Sequence, residues 1–352
     1  MIRILTDGSH HGDLYESLCM LFEDRFGWEL YRPTGMEFWD EGLWNYERHM
    51  PHGIEVARQY LLPWGTDSAV GDHFERVDLT HPGRIHKLVT LEQVRSQPFD
   101  IILATLAENE EGFASLARSI GARFGIQTGN EGTINRYDLA DFCMFSTARE
   151  HTPWVPHVFY HQEFSLADFR FEYPPTENDV AATWVQCLSS APEDWQRFET
   201  LAHATPELRW FHHGHCCQDC GYWRSNVQTT PEVAAQMRAA RIGVHFKRWS
   251  DGYGHVIHNL FAVGKPVIAT ASYYTDKLAG PLFVDGVTSF DVQTRSTDEV
   301  VAIVRRLAQD DDYHRQISEN AAARFREVVD FDADAGAIRG MLDGVLSDPV
   351  AA

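Results

Sequence analysis

Short apolar runs of strand length alternate with amphipathic runs of helix length along most of the chain, and that alternation confines it to α/β architectures built on parallel sheets. "IRILTD" (2–7) is a β-type run that breaks at "GSHHGD" and continues into "LYESLCMLFEDRF", where Leu14, Leu18, Leu21 and Phe22 fall at helical spacing. "FDIILATL" (99–106) reads as a second buried strand. "EGFASLARSIGARF" follows as a helix, with "GIQT" and "DFCMFST" as further strands. Between 151 and 180 the pattern gives way to aromatics and prolines ("HTPWVP", "EYPPTEND"), which favour extended chain, and a domain junction is expected there.

The alternation then restarts. "ATWVQCLS", "LRWFHHG", "IGVHFKR" and "KPVIAT" are expected strands, and "PEDWQRFETLAHAT" and "TPEVAAQMRAA" expected helices, the latter with Thr230 as N-cap and Pro231 at its first position. From 297 to 346 the chain is mostly helical, including "TDEVVAIVRRLAQD" and "DYHRQISENAAARFREVV". The expected organisation is two doubly wound, Rossmann-like domains in tandem, 1–172 and 173–330, followed by a helical tail, 331–352. A length of 352 residues suits two cores of ordinary size, and 44% hydrophobic residues are enough to fill them.

The formal charge of -21 opposes nonspecific attraction to polyanions, so a nucleic-acid or anionic-membrane partner is disfavoured. No apolar run approaches the roughly 20 residues that span a bilayer, and "MIRILTDGSHHGD" has no signal-peptide pattern. A cytoplasmic protein is expected. Its six cysteines fit a reducing compartment better than a disulfide framework.

"SDGYGHVIHNLFAVGKPVIAT" (250–270) places a glycine-punctuated loop before an amphipathic helix and then a strand. In an open parallel sheet the N-terminus of such a helix presents unpaired N–H groups and a partial positive charge, and Gly252 and Gly254 let the backbone approach an anion such as a diphosphate. A helix beginning near Gly254 would put Asp251, His255, His258 and Asn259 on one face and Val256, Leu260 and Val263 on the other. The alternative is a helix capped by Asp251 with surface histidines beside it.

"DGYGHVIHNLFAVGKPVIAT" resembles the donor-site signature of GT-B glycosyltransferases, especially retaining family 4, which reads E-G-F-G, then E-A-x-A-x-G-x-P-V-I with the two acidic positions eight residues apart. Asp251 falls on the first acidic position and Asn259 on the second, while Gly252, Tyr253, Gly254, Ala262, Gly264, Pro266, Val267 and Ile268 match the rest. The similarity extends over about 189–326. It implies a GT-B fold whose two domains face a central cleft, with the acceptor held mainly by the N-terminal domain. On that basis Asp251 would contact the donor's sugar hydroxyls, and the helix N-terminus with Gly252, Tyr253 and Gly254 its diphosphate, with His255 a further donor-binding residue. Asn259 would hold the ribose.

Two departures stand out. An amide at Asn259 can hydrogen-bond ribose but carries no charge, which leaves UDP- and GDP-sugars both open. "CLSSAPEDW" lacks the Arg and Lys with which the family neutralises the diphosphate, so Lys247 and Arg248 are candidate substitutes, or else surface charges at a strand end.

On the acceptor side the resemblance points to the loop after the first strand, with Gly8 and Ser9 lining the cleft and His10 or His11 orienting or deprotonating the acceptor. "AENEEG" (107–112) and "QTGNEGT" (127–133), with Glu131, are further candidate contacts. Cys217 and Cys220 stand at C-x-x-C spacing in "HHGHCCQDCGYW", but without a second such pair a thiol- and imidazole-rich loop is favoured over a structural zinc. The "DDD" at 310–312 and "DAD" at 332–334 are expected to be solvated or capping carboxylates, so no cofactor or catalytic metal is expected.

The expected activity is transfer of a sugar from a nucleotide-diphosphate donor to a hydroxyl acceptor, with retention. The acceptor is left open among a glycan, a small molecule and a modified DNA base, as is the oligomeric state. Alternatives are a non-catalytic nucleotide-sugar-binding protein and a GT-B-like sugar-phosphate epimerase or phosphorylase.

Overall fold

Strands β1 (Arg3–Thr6), β2 (Glu29–Pro33), β3 (Ser68–Val70), β4 (His73–Val77), β5 (Ile85–Val89), β6 (Ile101–Ala104), β7 (Arg123–Thr128), β8 (Phe142–Phe145) and β9 (His157–Phe159) form one sheet, in the order β3-β4-β5-β2-β1-β6-β7-β8-β9. The computed structural model describes residues 1–7, 12–63, 66–129, 135–147, 154–175, 178–186, 188–214, 220–224, 229–248 and 251–348. From β5 to β9 neighbouring strands are parallel; β3 and β4 add an antiparallel edge. Strand order reverses between β1 and β6, the switch point beside which doubly wound sheets collect ligands.

Every residue of β6, β7 and β8 is buried, as central parallel strands covered on both faces require. Helices α1 (Gly12–Cys19), α2 (Glu37–Asp40), α3 (Gly53–Leu61), α4 (Leu91–Ser96) and α5 (Glu110–Ile120) join them. The expected first helix changes at Met20 into a π-helical turn, Met20–Arg25. One core packs Phe113, Leu116 and Trp44 on one face of the sheet, and another packs Leu14, Leu18 and Phe22 on the other.

The second sheet is wholly parallel. Its strands β10 (Val180–Thr183), β11 (Arg209–His212), β12 (Ile242–His245), β13 (Val267–Ala269) and β14 (Ser289–Asp291) run in the order β11-β10-β12-β13-β14 and reverse direction of progress between β10 and β12. Helices α6 (Pro192–Ala204), α7 (Thr230–Ala239), α8 (His255–Ala262), α9 (Thr297–Gln309) and α10 (Asp311–Val328) surround it. The N-cap of α7 is Thr229 rather than Thr230, because Thr229 and Glu232 close a reciprocal capping box and place Thr230 inside the helix. Ser296 and Glu299 close the same motif at α9.

The chain divides into two compact units, Met1–Phe164 with Phe331–Ala352, and Ser165–Asp330, against the expected 1–172, 173–330 and a separate tail at 331–352. The last helix, α11 (Phe331–Ser347), is part of the first unit, where Ala335, Ile338 and Leu342 pack with Ile4, Leu18 and Met144. Two carboxylates of "DAD" fix its start. Asp332 pairs with Arg25 at 2.5 Å, and Asp334 accepts hydrogen bonds from the His161 backbone N–H and Nδ1, both at 2.9 Å.

Candidate functional site

The 251–270 segment folds as the loop, helix and strand that its pattern implies. Gly254 is the N-cap of α8 with φ 75°, a left-handed conformation that a β-carbon would strain, so the glycine here is a backbone requirement. The helix start has no side-chain cap and no acidic residue in its first turn, which leaves the N–H groups of that turn without a side-chain acceptor from the helix itself. At the far end Gly264, φ 68°, lets the ring of Phe171 sit where a β-carbon would be, and Lys265 is fully buried with Nζ donating to the carbonyls of Glu172 and Arg238 at 2.9 and 2.6 Å. Burial pushes that ammonium down to about 7, so Lys265 is a fastening inside the unit rather than a phosphate ligand.

Asp251 sits in a cluster of donors. His245 Nε2 lies 2.9 Å from the Tyr274 hydroxyl and 3.2 Å from Asp251 Oδ2, and Tyr274 donates to that oxygen at 2.6 Å. Lys247 Nζ is 3.5 Å from Oδ1, while the buried Lys277 donates to the Asp251 carbonyl at 3.0 Å and covers the Tyr273 ring. Burial would raise the carboxyl; the His245 hydrogen bond, the Lys247 ammonium and the Tyr274 hydroxyl outweigh it and hold Asp251 well below the usual carboxylate range. Oδ2 is thus committed to His245 and Tyr274, and Oδ1 is the oxygen that can accept from a ligand hydroxyl.

Asn259 is 7% exposed, and its side-chain oxygen is buried without a hydrogen-bond partner. A buried amide oxygen left unpaired costs about 1–3 kcal/mol, so a ligand donor at this position would be rewarded. His258 does not share that environment. It is fully buried, stacked on Tyr253 at 4.1 Å, with Nδ1 donating to the Gly254 carbonyl at 3.0 Å. The expectation of a single polar face bearing His258 fails because Tyr253 folds back over it. His255 meets the Tyr253 ring edge-on at 5.2 Å.

The two candidate cations part company. Arg248 pairs with Glu193 at 2.6 Å and Asp194 at 2.9 Å in the first turn of α6, so its guanidinium is neutralised by protein, whereas Lys247 stays beside Asp251. In the loops after β10 and β11, Trp184 stacks on His213 at 5.4 Å, and the buried Trp184 Nε1 has no hydrogen-bond partner. Cys217 lies outside the described residues; Cys220 is half-buried.

In the first unit, Gly8, Ser9, His10, His11 and Glu131 all lie outside the described residues. What flanks them is described. Asp7, fully buried after β1, accepts from the Thr105 N–H and hydroxyl, both at 2.7 Å, the Leu106 N–H at 3.2 Å and Asn109 Nδ2 at 2.8 Å. Burial pushes its carboxyl up to about 6 in spite of those bonds. Glu110, 1% exposed at the start of α5, is pushed up to about 8, mainly by burial with the Asp7 charge adding to it and the Arg136 N–H opposing it.

Among the described residues, Glu16, Asp78 and His81 come close enough to share a cation. Both Glu16 oxygens, however, take Arg84 at 2.9 and 2.8 Å, and His81 Nδ1 lies 2.9 Å from Asp78 Oδ2, so the group already forms a satisfied ion-pair network.

Sequence reasoning missed His245, Tyr274 and Lys277. Their signal was available only in part: His245 ends the strand that feeds the motif, and "SYYTDK" follows the next strand, but their meeting depends on β12 and β13 being neighbours.

No protein-family model and no curated protein matches the chain. Solved structures do. Anabaena HepE in complex with UDP and glucose aligns with TM-score 0.65 at 12% identity, over 98% of this chain and 100% of that one. Sucrose-phosphate synthase from Thermosynechococcus elongatus aligns with TM-score 0.62 at 12% identity, over 99% and 100%. The pneumococcal O-GlcNAc transferase GtfA in complex with UDP and GlcNAc gives 0.59 at 10%, over 99% of each chain. Likeness at this identity concerns architecture, and the architecture is the GT-B fold, two Rossmann-like units in tandem.

Proposed function

We propose that the protein is a glycosyltransferase that moves a sugar from a nucleotide-diphosphate donor, with UDP as the first candidate nucleotide, to a hydroxyl acceptor. The observation that carries this reading is the α8 start: a helix N-terminus without a side-chain cap, between an ionised Asp251 whose Oδ1 is not held by His245 or Tyr274 and a buried Asn259 oxygen without a partner. Those groups are suited in sequence to sugar hydroxyl, diphosphate and ribose. The UDP complexes of HepE and GtfA, on the same fold, support the choice of nucleotide.

The chemistry follows from where charge develops. As the bond between the anomeric carbon and the phosphate oxygen breaks, negative charge gathers on the diphosphate, where the N–H groups of α8 and the Lys247 ammonium stabilise it without reorganising. The bond from the acceptor oxygen to the anomeric carbon forms on the same face, and the acceptor's proton passes to the departing phosphate oxygen. Configuration is retained, and no protein nucleophile is needed. Asp251 Oδ1 orients the sugar by accepting one of its hydroxyls.

A panel of nucleotide sugars screened by thermal shift, followed by assay of nucleoside diphosphate release with and without glycan acceptors, tests this. UDP-sugars are expected to stabilise the protein and to be turned over. Stabilisation without release or transfer under any acceptor would identify a binding protein instead, the outcome to which the uncharged Asn259 lends weight.

A further inference from the structure

One short segment grips Asp251 by its backbone N–H, its carbonyl and its carboxylate. The chain leaving β13 turns through 271–277, and three of its residues reach back to the loop that precedes α8. The Tyr273 hydroxyl accepts the Asp251 N–H at 3.3 Å, the Lys277 ammonium donates to the carbonyl at 3.0 Å, and the Tyr274 hydroxyl donates to Oδ2 at 2.6 Å. The segment is itself tied down. Asp291, buried on the neighbouring strand β14, accepts from the Ala271 N–H at 3.1 Å and from the Ser272 hydroxyl.

Tyr274 is the centre of the grip. Its hydroxyl has one proton, given to Asp251, so it accepts from His245 Nε2 at 2.9 Å. Among the described residues His245 Nδ1 has no partner, and the ring donates from Nε2, which also lies 3.2 Å from Oδ2. Tyr274 is 0% and His245 2% exposed, whereas the Asp251 side chain is 15% exposed, so the first two can act on a ligand only through the third. Turning the carboxylate plane would break the Tyr274 and His245 bonds together. Oδ2 is thereby locked inward, and Oδ1 has only Lys247 Nζ beside it, at 3.5 Å. A purely structural carboxylate would be served as well with both oxygens enclosed. The Tyr274 ring also meets the helix start: a β-carbon on Gly254 would lie 3.4 Å from Tyr274 Cε1, and Phe283 stacks on the ring at 5.5 Å. One side chain therefore sets the spacing between the carboxylate and the N-terminus of α8.

We propose that Tyr274 and His245 are positioning residues for the donor sugar: they aim Oδ1 of Asp251 at a sugar hydroxyl, while Tyr273 and Lys277 fix the backbone beneath it. This rests on the transferase reading given above. Misplacement of about 1 Å can cost on the order of 100-fold in rate, so a sealed hydroxyl and imidazole matter to turnover without touching substrate.

Tyr274→Phe keeps the ring against Phe283 and Gly254 and removes only the hydroxyl. Calorimetry of the full chain with UDP and with the UDP-sugars of glucose, galactose and N-acetylglucosamine, together with the rate of UDP release, reads the effect. The variant is expected to bind UDP within about twofold of the parent, to bind the UDP-sugar that the parent turns over about tenfold more weakly, and to release UDP from it about 30-fold more slowly. His245→Gln, whose amide N–H can stand in for Nε2–H, should retain most of the turnover that His245→Leu loses. Equal losses for UDP and UDP-sugar in Tyr274→Phe would indicate a purely structural role and overturn the proposal, as would parental behaviour in that variant. Should Tyr274→Phe fail to fold, Tyr273→Phe, at a half-buried position, is expected to show the same split at about threefold, and its absence there overturns the proposal equally. A parent that turns over none of the UDP-sugars removes the transferase reading and this proposal with it; an active parent with an unaltered Tyr274→Phe removes the proposal alone.

Discussion

Buried carboxylates occur near the C-terminal ends of parallel strands in both units, but they hold their protons very differently. Asp251, after β12, is held ionised; Asp7, after β1, titrates at about 6, and Glu110, at the start of α5 after β6, at about 8. Burial is common to all three, so it cannot be the cause of the difference. Asp251 has an ammonium and an imidazole beside it. Asp7 accepts from four neutral donors among the described residues, and those four bonds do not offset its desolvation. The second unit's edge thereby presents a fixed charge beside the proposed diphosphate position, and the first unit's edge carries carboxyls poised nearer neutrality.

The comparison can be broken most directly at Asp251. Asp251→Ala strands Lys247, His245 and Tyr274 without their common acceptor and is expected to cost about 3 kcal/mol in denaturant unfolding, with turnover reduced at least about 100-fold. A cost below about 1 kcal/mol would mean that the cluster around Asp251 is not the clamp described here.

Next in size is Lys247→Gln, expected to weaken UDP binding about tenfold by calorimetry, with a smaller penalty in high salt. Equal penalties at low and high salt would remove Lys247 from the diphosphate.

Glu110 sharpens the other side. A carboxyl whose folded pKa lies above its ordinary 4.5 contributes stability that is full below 4.5 and is lost as pH rises through about 8. Glu110→Gln cannot ionise, so its melting temperature is expected to rise relative to the parent by roughly 2–4 °C between about pH 6 and pH 9. A difference independent of pH would show that Glu110 ionises normally. Smallest is Arg248→Gln: with its guanidinium already on Glu193 and Asp194, UDP affinity should change less than about twofold.

Much of this was legible from residues. The strands at 2–7, 99–106 and 267–269 and the helix after Gly254 follow from periodicity and glycine placement, which act over a few neighbours. β2 was not foreseen, because "ELYRP" is too short and too polar to stand out, and the half-buried Arg32 within it is held by contacts with His86 and Tyr15 that the sequence does not show. The α7 cap was misplaced by one residue because Thr229 and Thr230 are equivalent until the Glu232 side chain closes the box on one of them. The "DAD" carboxylates read as solvated or capping, and both stand in the first turn of α11 with Asp332 largely exposed; their partners Arg25 and His161 were hidden because they are remote in sequence.

By itself the sequence determined two α/β sheets and a glycine-gated helix terminus between Asp251 and Asn259, since hydrophobic period and backbone freedom are local properties. The tertiary structure decided which unit α11 joins, that Arg248 is drawn to Glu193 and Asp194 on α6 while Lys247 lies beside Asp251, that His258 turns inward, and which carboxylates keep their charge. Those outcomes depend on the few ångströms between groups on different strands and helices, and at such distances desolvation and Coulomb terms of several kcal/mol oppose each other, so the partner that packing supplies determines the sign.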